Sequence, residues 1–295
     1  MRSLSTTMIL VPSAVAVVLE PLVAEQQLVD GCISVTRRLT TRSGRTVVLK
    51  ECARAPADLF RCEAEALDAL RSSLRVPAVL GFGSTWLLLE DLGPQVSCNA
   101  LPLPADDPAW EDYGRAYARL HGRLSSRHGW HHDTYWGLMR MDQRWNADGY
   151  EFYAEQRFAW FLRRPTTARW LTADDRRGVE RVAVNLRTLI PPQPACLNHG
   201  DLWSGNRMRA PEGGLAAIDP FVHYSWAECD LHNCLQFGGF PERFFDAYSE
   251  SHPLESGWRD RVQVFYLLHL LGMLDQDIET REALPWLRRL VARFG

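Results

Sequence analysis

One short polar stretch constrains the fold of this chain more than anything else in it: His199-Gly200-Asp201-Leu202-Trp203-Ser204-Gly205-Asn206, set between apolar runs. An Asp followed five positions later by an Asn places a carboxylate and an amide oxygen in one tight loop. Thirteen residues beyond Asn206, the apolar run Ala217-Ile218 ends in Asp219, with Pro220 after it. A fold that uses all three side chains must bring a mid-chain loop against the end of a later short strand. Converging oxygen ligands of this kind suit a hard divalent cation such as magnesium. An Asp-x4-Asn pair alone arises by chance in many proteins. The leading His-Gly and the strand-ending Asp make it specific.

Phosphoryl transfer in a kinase-type fold needs such a set: the Asp accepts the proton of the attacking hydroxyl, and the Asn holds magnesium on the transferring phosphates. A second feature, independent of the loop, points the same way. Of the 33 basic residues one is lysine, Lys50, and the other 32 are arginine. Arginine is thus the general surface cation. A lone lysine marks a place where its wide planar fork cannot replace a compact ammonium. Lys50 ends Thr46-Val47-Val48-Leu49, a β-branched and apolar run that reads as a strand. A kinase-type fold keeps its phosphate-contacting lysine in that position. Placed at random among 33 equivalent basic positions, the lysine would fall here about once in 33.

With 295 residues, 46% hydrophobic and 23% charged, the chain can bury a full core in two lobes or one large domain. A net charge of -3 gives no basic field for nucleic acid or an anionic membrane, and no nucleic-acid motif is present. Seven cysteines (Cys32, Cys52, Cys62, Cys98, Cys196, Cys229, Cys234) fall at irregular spacing without a Cys-x2-Cys pair. That fits reduced thiols in a cytoplasmic enzyme better than a disulfide framework or a zinc site. The apolar stretch Met8 to Leu19 behind Arg2 has the look of a signal-peptide core. Pro12 and Ser13 interrupt it, however, and no clear small-x-small site precedes Glu20, so a leader before the first helix is the preferred reading. No stretch reaches the roughly 18 to 20 apolar residues that span a bilayer.

Along the chain, Ser13 to Val29 reads as a helix closed by Asp30-Gly31. Strands follow at Ile33 to Leu39 and Thr46 to Leu49, joined by Arg42-Ser43-Gly44-Arg45. Leu59 to Leu74 has a helical period, with two more strands at Val76 to Phe82 and Trp86 to Leu89. Asp91-Leu92-Gly93-Pro94 breaks this small lobe and makes a hinge. Beyond it, Trp110 to Leu124, Tyr150 to Leu162, Ala173 to Leu189 and Arg259 to Leu274 read as helices, interrupted by the polar loop and a short strand at Leu215 to Ile218. The expected fold is α+β and bilobal, protein-kinase-like. Residues 1–92 form a small N-terminal nucleotide-binding lobe with an antiparallel sheet. Residues 93–295 form a larger, mostly helical lobe for catalysis and acceptor binding.

Leu197 to Asn206 resembles the catalytic loop of the fructosamine (ketosamine) kinase family, in the aminoglycoside-phosphotransferase branch of the kinase-like fold. The resemblance continues through Ile218-Asp219-Pro220 and Phe237-Gly238-Gly239-Phe240-Pro241-Glu242-Arg243-Phe244-Phe245-Asp246-Ala247-Tyr248. Upstream, Asp30-Gly31-Cys32-Ile33-Ser34 resembles the family's nucleotide-covering loop, and Phe60 to Leu67 its lysine-partner helix. The resemblance implies an ATP- and magnesium-dependent kinase acting on a sugar hydroxyl of a ketosamine, whose 3-phosphorylation releases the glycated amine.

Asp201 is then the expected catalytic base, and Asn206 and Asp219 the expected magnesium ligands. Lys50 needs an acidic partner; Glu63 and Glu65 are both at hand and, two apart, cannot share a helix face. The resemblance favours Glu63 and leaves Glu65 as a solvated surface charge. Gly31 and Cys32 would cover the nucleotide. In this family such a cysteine is sometimes a thiol switch, but a small buried apolar side chain is the preferred role for Cys32. Glu90, Asp91 and Leu92 would offer hinge backbone groups to adenine. Trp203 would stack on the acceptor's sugar ring, the rival role being a wedge that steadies the loop. Asp230 resembles a structural acid that buttresses the loop. His128, His131 and His132 crowd together, but flanking tryptophans and the lack of a paired acid at helical spacing favour surface or packing roles over a metal site.

Gly200 stands where protein kinases keep an Arg, and no Asp-Phe-Gly or Ala-Pro-Glu brackets an activation loop, so a small-molecule kinase is expected. A P-loop motif is absent. Tyr266 to Met273 only approximates the family's His-Leu-Asn-Leu-Phe-Gly run, and His223, Ser225 and Trp226 are unusual. A kinase for an aminoglycoside, a nucleoside-type antibiotic or a biosynthetic intermediate is therefore the alternative. A non-catalytic nucleotide-binding protein of the same fold is the alternative of another class.

Overall fold

Val47 and Leu49 point to one side of their strand and Val48 and Lys50 to the other, and this alternation organises the N-terminal lobe. The computed structural model describes residues 11–28, 34–93 and 103–295, so Gly31 and Cys32 lie outside the described residues. Helix α1 (Ser13–Val18) is followed by strands β1 (Leu22–Gln27), β2 (Val35–Thr41) and β3 (Thr46–Glu51). Helix α2 (Leu59–Leu70) and strands β4 (Val79–Phe82) and β5 (Trp86–Glu90) complete the lobe. The sheet runs β1-β2-β3-β5-β4 with every neighbouring pair antiparallel. Val47, Leu49, Leu39 and Leu88 form a small core with Val15 of α1. Val48, Leu87 and Leu89 on the opposite face join Phe60, Cys62 and Leu67 of α2 in a larger core that continues into the second lobe.

The single helix expected from Ser13 to Val29 is not what forms. It stops at Val18, and Leu22–Gln27 is the edge strand β1, with Glu25 opposite Leu39 and Gln26 opposite Arg38. Pro21 lacks the N–H a helix would need and disfavours helical geometry at Glu20. Beyond it the chain is almost wholly exposed, so no buried stripe rewards a helix. Backbone pairing with β2 does.

The second lobe opens with α3 (Ala109–His121) and the short strands β6 (Leu124–Ser125), β7 (Thr134–Trp136) and β8 (Met139–Met141). The helix expected at Tyr150 to Leu162 is continuous but changes pitch: α4 (Gly149–Tyr153), a π-helical stretch (Ala154–Ala159), then α5 (Trp160–Arg163). After α6 (Pro165–Ala168), α7 (Ala173–Leu189) starts where a capping box fixes it, Thr172 and Asp175 each bonding the other's backbone N–H. Strand β9 (Ala195–Asn198) is the fully buried centre of a three-stranded sheet between β12 (His223–Ser225) and β6. Strands β10 (Arg207–Arg209) and β11 (Leu215–Ala217) form a hairpin. Helices α8 (Ala227–Gln236), α9 (Glu242–Ser249), α10 (Trp258–Asp275) and α11 (Thr280–Phe294) finish the chain. Helices α3 and α9 pack tightly because Gly114 has no side chain: a Cβ there would lie 2.3 Å from the Phe244 carbonyl oxygen. A second core joins α7, α10 and α11 through Val179, Val182, Leu267, Leu271 and Leu287. Among the described residues no helix is long and apolar enough to cross a membrane.

Candidate active site

The lone lysine stands between two carboxylates. Lys50 lies opposite Leu87 of β5 and Thr36 of β2. Its Nζ is 2.6 Å from Glu63 Oε1 on α2 and 2.8 Å from Asp219 Oδ1, which is 169 residues away in sequence. Burial alone would lower the Lys50 pKa, but Asp219 and Glu63 outweigh it and hold the ammonium charged above the usual lysine range. Burial raises the Glu63 pKa, against the pull of Lys50. Glu65 does not reach Lys50, nor is it a solvated charge. It bonds Arg61 at 2.7 Å and His132 at 2.5 Å.

The loop that carries Asp201 begins where β9 ends, and one buried carboxylate clamps its start. Asp230 on α8 accepts from the His199 N–H (2.7 Å), the Gly200 N–H (2.6 Å) and His121 Nε2 (3.2 Å). Although burial opposes ionisation, the bond and charge of His121 help keep the Asp230 pKa below the usual carboxylate range. His121 is aimed in turn by Tyr248, whose hydroxyl is 2.7 Å from Nδ1. Gly200 sits at φ +83° with its Cα so near Phe221 that a Cβ would lie 2.0 Å from the Phe221 carbonyl oxygen. Any other residue would push the loop away. His199 Nε2 donates to the Ile218 carbonyl (3.0 Å), and its Nδ1 accepts from the Asp201 N–H (3.3 Å). Burial keeps this imidazole neutral by lowering its pKa.

Asp201, Asn206 and Asp219 converge at the open end of that loop. The Asn206 amide nitrogen donates to both the backbone oxygen and Oδ2 of Asp201, each at 2.9 Å. This bond leaves the amide oxygen on the opposite side. The Ile218 N–H donates to the Asn206 carbonyl at 3.0 Å, which sets Asp219 beside the loop. Asp219 has φ +54°, a left-handed conformation uncommon for a residue with a side chain. Its carboxylate is 45% exposed. Burial, then the Asp219 charge, pushes the Asp201 pKa up to about 7, while bonds from Asn206 and Trp136 pull it down. A carboxyl poised there can take up and release a proton near neutral pH.

The family model of the fructosamine kinases matches residues 17–277. The chain belongs to the fructosamine kinase family. It is 29% identical over 255 residues to the "Probable ketoamine kinase" of Enterococcus faecium, covering 84% of this chain and 87% of that one. It is 28% identical over 262 residues to the chloroplastic protein-ribulosamine 3-kinase of Arabidopsis thaliana, covering 82% and 74%. A solved structure from Thermobifida fusca, provisionally named a fructosamine-3-kinase, superposes with a TM-score of 0.80 at 32% identity, covering 92% and 94%. An aminoglycoside phosphotransferase, APH(4)-Ia, shares the fold at 16% identity with a TM-score of 0.62, covering 92% and 95%.

In this member of the family the side chains of Glu90 and Asp91, expected at an inter-lobe hinge, are engaged in structural bonds. The Glu90 carboxylate bonds Arg75 at 2.6 and 2.9 Å, and its N–H donates to Ala78 at 2.8 Å. Asp91 grips Arg38 of β2 at 2.7 and 3.0 Å, and Arg38 also bonds the Gly93 carbonyl. Leu92 is buried in an apolar shelf with Ala210 and Ala216, beside Met208 and Ile218. Trp203 is half-buried and covers Gly205, where a Cβ would lie 2.2 Å from the indole. Its ring meets Phe237 edge-on at 6.4 Å.

Trp136 carries no motif, and the sequence places it only as a tryptophan flanking the histidine cluster. Its indole helps hold the Asp201 pKa down, stands 5.1 Å from the His269 ring, and fills the space that Gly272 leaves open. Phe237, 4.6 Å from His269, extends this aromatic wall. His128 is buried against Phe152 and Trp226, a packing role. His131 and His132 stand beside Glu65, an acid supplied by a different element.

Proposed function

We propose that this chain transfers the γ-phosphoryl group of ATP to a sugar hydroxyl of a ketosamine, with magnesium as cofactor. The supporting observation is the bridge from Lys50 to both Glu63 and Asp219, which joins the lone ammonium of the sheet lobe to the acid beside the Asp201 loop. ATP would bind between the lobes, with adenine beside Leu92, Ala210 and Ala216 and near the Leu92 backbone and the Glu90 carbonyl, and phosphates towards Lys50. On this reading residues 1–92 bind the nucleotide and residues 93–295 carry catalysis and the acceptor.

Asn206 and Asp219 fit magnesium, since both offer oxygen, the Asn206 amide is oriented by Asp201, and the Asp219 carboxylate is half exposed. The ion would supply neutralisation of phosphate charge. Asp201 accepts the proton of the attacking hydroxyl and keeps that oxygen in line. Trp203, Phe237 and Trp136 give the acceptor's sugar ring apolar faces beside the base. The curated relatives named as ketoamine and ribulosamine kinases support a ketosamine as that acceptor.

The test is ADP release by purified protein with Mg-ATP and a panel that includes fructosyl-lysine and aminoglycosides. Turnover with fructosyl-lysine is expected. Turnover with aminoglycosides alone would move the acceptor class, and ATP binding without any turnover would leave a nucleotide-binding protein. Asp201→Asn should keep ATP affinity and lower kcat by about 10²- to 10⁴-fold; an unchanged kcat would remove Asp201 as base.

A further inference from the structure

Glu65 does not serve Lys50, yet it is held as carefully as a working residue. On α2, two positions beyond Glu63, it faces the segment between β6 and β7 in the other lobe. Its Oε2 is 2.5 Å from His132 Nε2 and 3.6 Å from His131 Nε2. The three ligand atoms, one from each residue, lie within 4.8 Å of one another. His132 Nδ1 is 2.8 Å from the Asp133 carbonyl and must donate its hydrogen there. A carbonyl cannot donate, so the neutral ring turns a bare Nε2 towards a carboxylate oxygen. Two lone pairs cannot face each other at that distance without a cation between them. A single proton would satisfy that pair and leave His131 unused. A metal ion would use all three.

We propose that Glu65, His131 and His132 form a transition-metal site of the zinc type that joins α2 to the C-terminal lobe. Two imidazoles and one carboxylate are a ligand set that zinc accepts, with a fourth position left for water. Tetrahedral bonds of about 2.0–2.1 Å separate ligand atoms by roughly 3.3–3.4 Å. The His131–Glu65 distance already matches, and the His132–Glu65 distance needs to open by somewhat under 1 Å. Both outer supports are in place: His132 donates its other nitrogen to Asp133, and Arg61 holds the far oxygen of Glu65 at 2.7 Å. His131, 54% exposed, borders a groove of about 1040 Å³ also lined by Glu65 and Trp130, which gives the ion an entry path. Cys62 Sγ lies 3.9 Å from His132 Nδ1, on the wrong side of the ring to join. Imidazole nitrogen discriminates against magnesium, so this site and the phosphate site would not compete for one ion. Metal binding here does not depend on the phosphotransfer reading. Its consequence does: an ion at Glu65 braces the helix that aims Glu63 at Lys50.

The experiment is a cobalt titration of chelator-stripped full-length protein in excess magnesium, followed by displacement with zinc and by thermal melting with each ion. One cobalt per chain is expected, with visible ligand-field bands and no thiolate charge-transfer band, and zinc should raise the Tm. His131→Ala, at an exposed position, should melt like the stripped wild type and bind cobalt at least about 100-fold more weakly; Glu65→Gln should do likewise. The absence of any tight cobalt or zinc uptake would mean that a proton bridges the pair and would overturn the proposal. Wild-type affinity in both variants, or a thiolate band, would place the metal elsewhere and overturn it as well.

Discussion

On the sheet side of the cleft, Lys50 is positioned by two ion pairs, one of them to a carboxylate that is 45% exposed. On the helical side, Asp201 stands on a loop whose backbone donors are gathered by the fully buried Asp230 and whose turn admits only glycine at position 200. The ammonium is held by charge, and the Asp201 loop by buried hydrogen bonds that have no alternative partner in water's absence. The proposed roles ask for this division: a lysine that meets a nucleotide which arrives and leaves, and a base that must already be aimed.

Three variants would break or sharpen that contrast. Asp230→Ala leaves the His199 and Gly200 N–H groups and His121 without their shared acceptor, and should cost about 3–5 kcal/mol of stability, read by chemical denaturation. A stability close to wild type would show that the loop is held by something other than Asp230. Lys50→Arg should melt near the wild type but lose about 10²-fold in kcat/KM, because the planar fork cannot sit between Glu63 and Asp219. A Tm loss as large as that of Asp230→Ala would erase the distinction between the two sides.

The smallest effect concerns pH. Because the Asp201 carboxyl is pushed up to about 7, it is protonated, and unable to accept a proton, below that pH. The acid limb of kcat/KM should therefore lie near pH 7, with activity rising as the pH rises through it. Trp136→Phe removes an indole N–H that favours the carboxylate, so the limb should shift to higher pH and kcat fall about tenfold. A profile that is flat from pH 5 to 8 would separate turnover from the Asp201 proton.

Chemistry that demands a residue type at a fixed spacing was legible in the sequence. Lys50, Asp201, Asn206 and Asp219 were read from one lone cation, one loop and one strand end, Glu63 was preferred over Glu65 on the family resemblance, and the structure brings the five together. Helix α7 forms over the span read from the sequence, Ala173–Leu189, and in the structure a capping box of Thr172 and Asp175 fixes its start. Strand β1 was not legible, since an exposed edge strand has no buried period of its own and its apolar spacing imitates a helix until Pro21 is given its weight. Trp136 escaped because its partners, Asp201 and Gly272, are supplied by distant segments, and an aromatic residue carries no spacing rule. Glu65 and the histidine pair escaped for the same reason: an acid on α2 and two imidazoles on a loop meet only in three dimensions.

The scarcity of lysine has a consequence outside the cleft. Reducing sugars condense with primary amines and not with guanidinium groups in the same way. The one lysine side chain in the sequence is only 12% exposed, and its ammonium is occupied by Glu63 and Asp219. A protein proposed to act on sugar-modified amines thus presents almost no side-chain amine for the same damage to begin on itself.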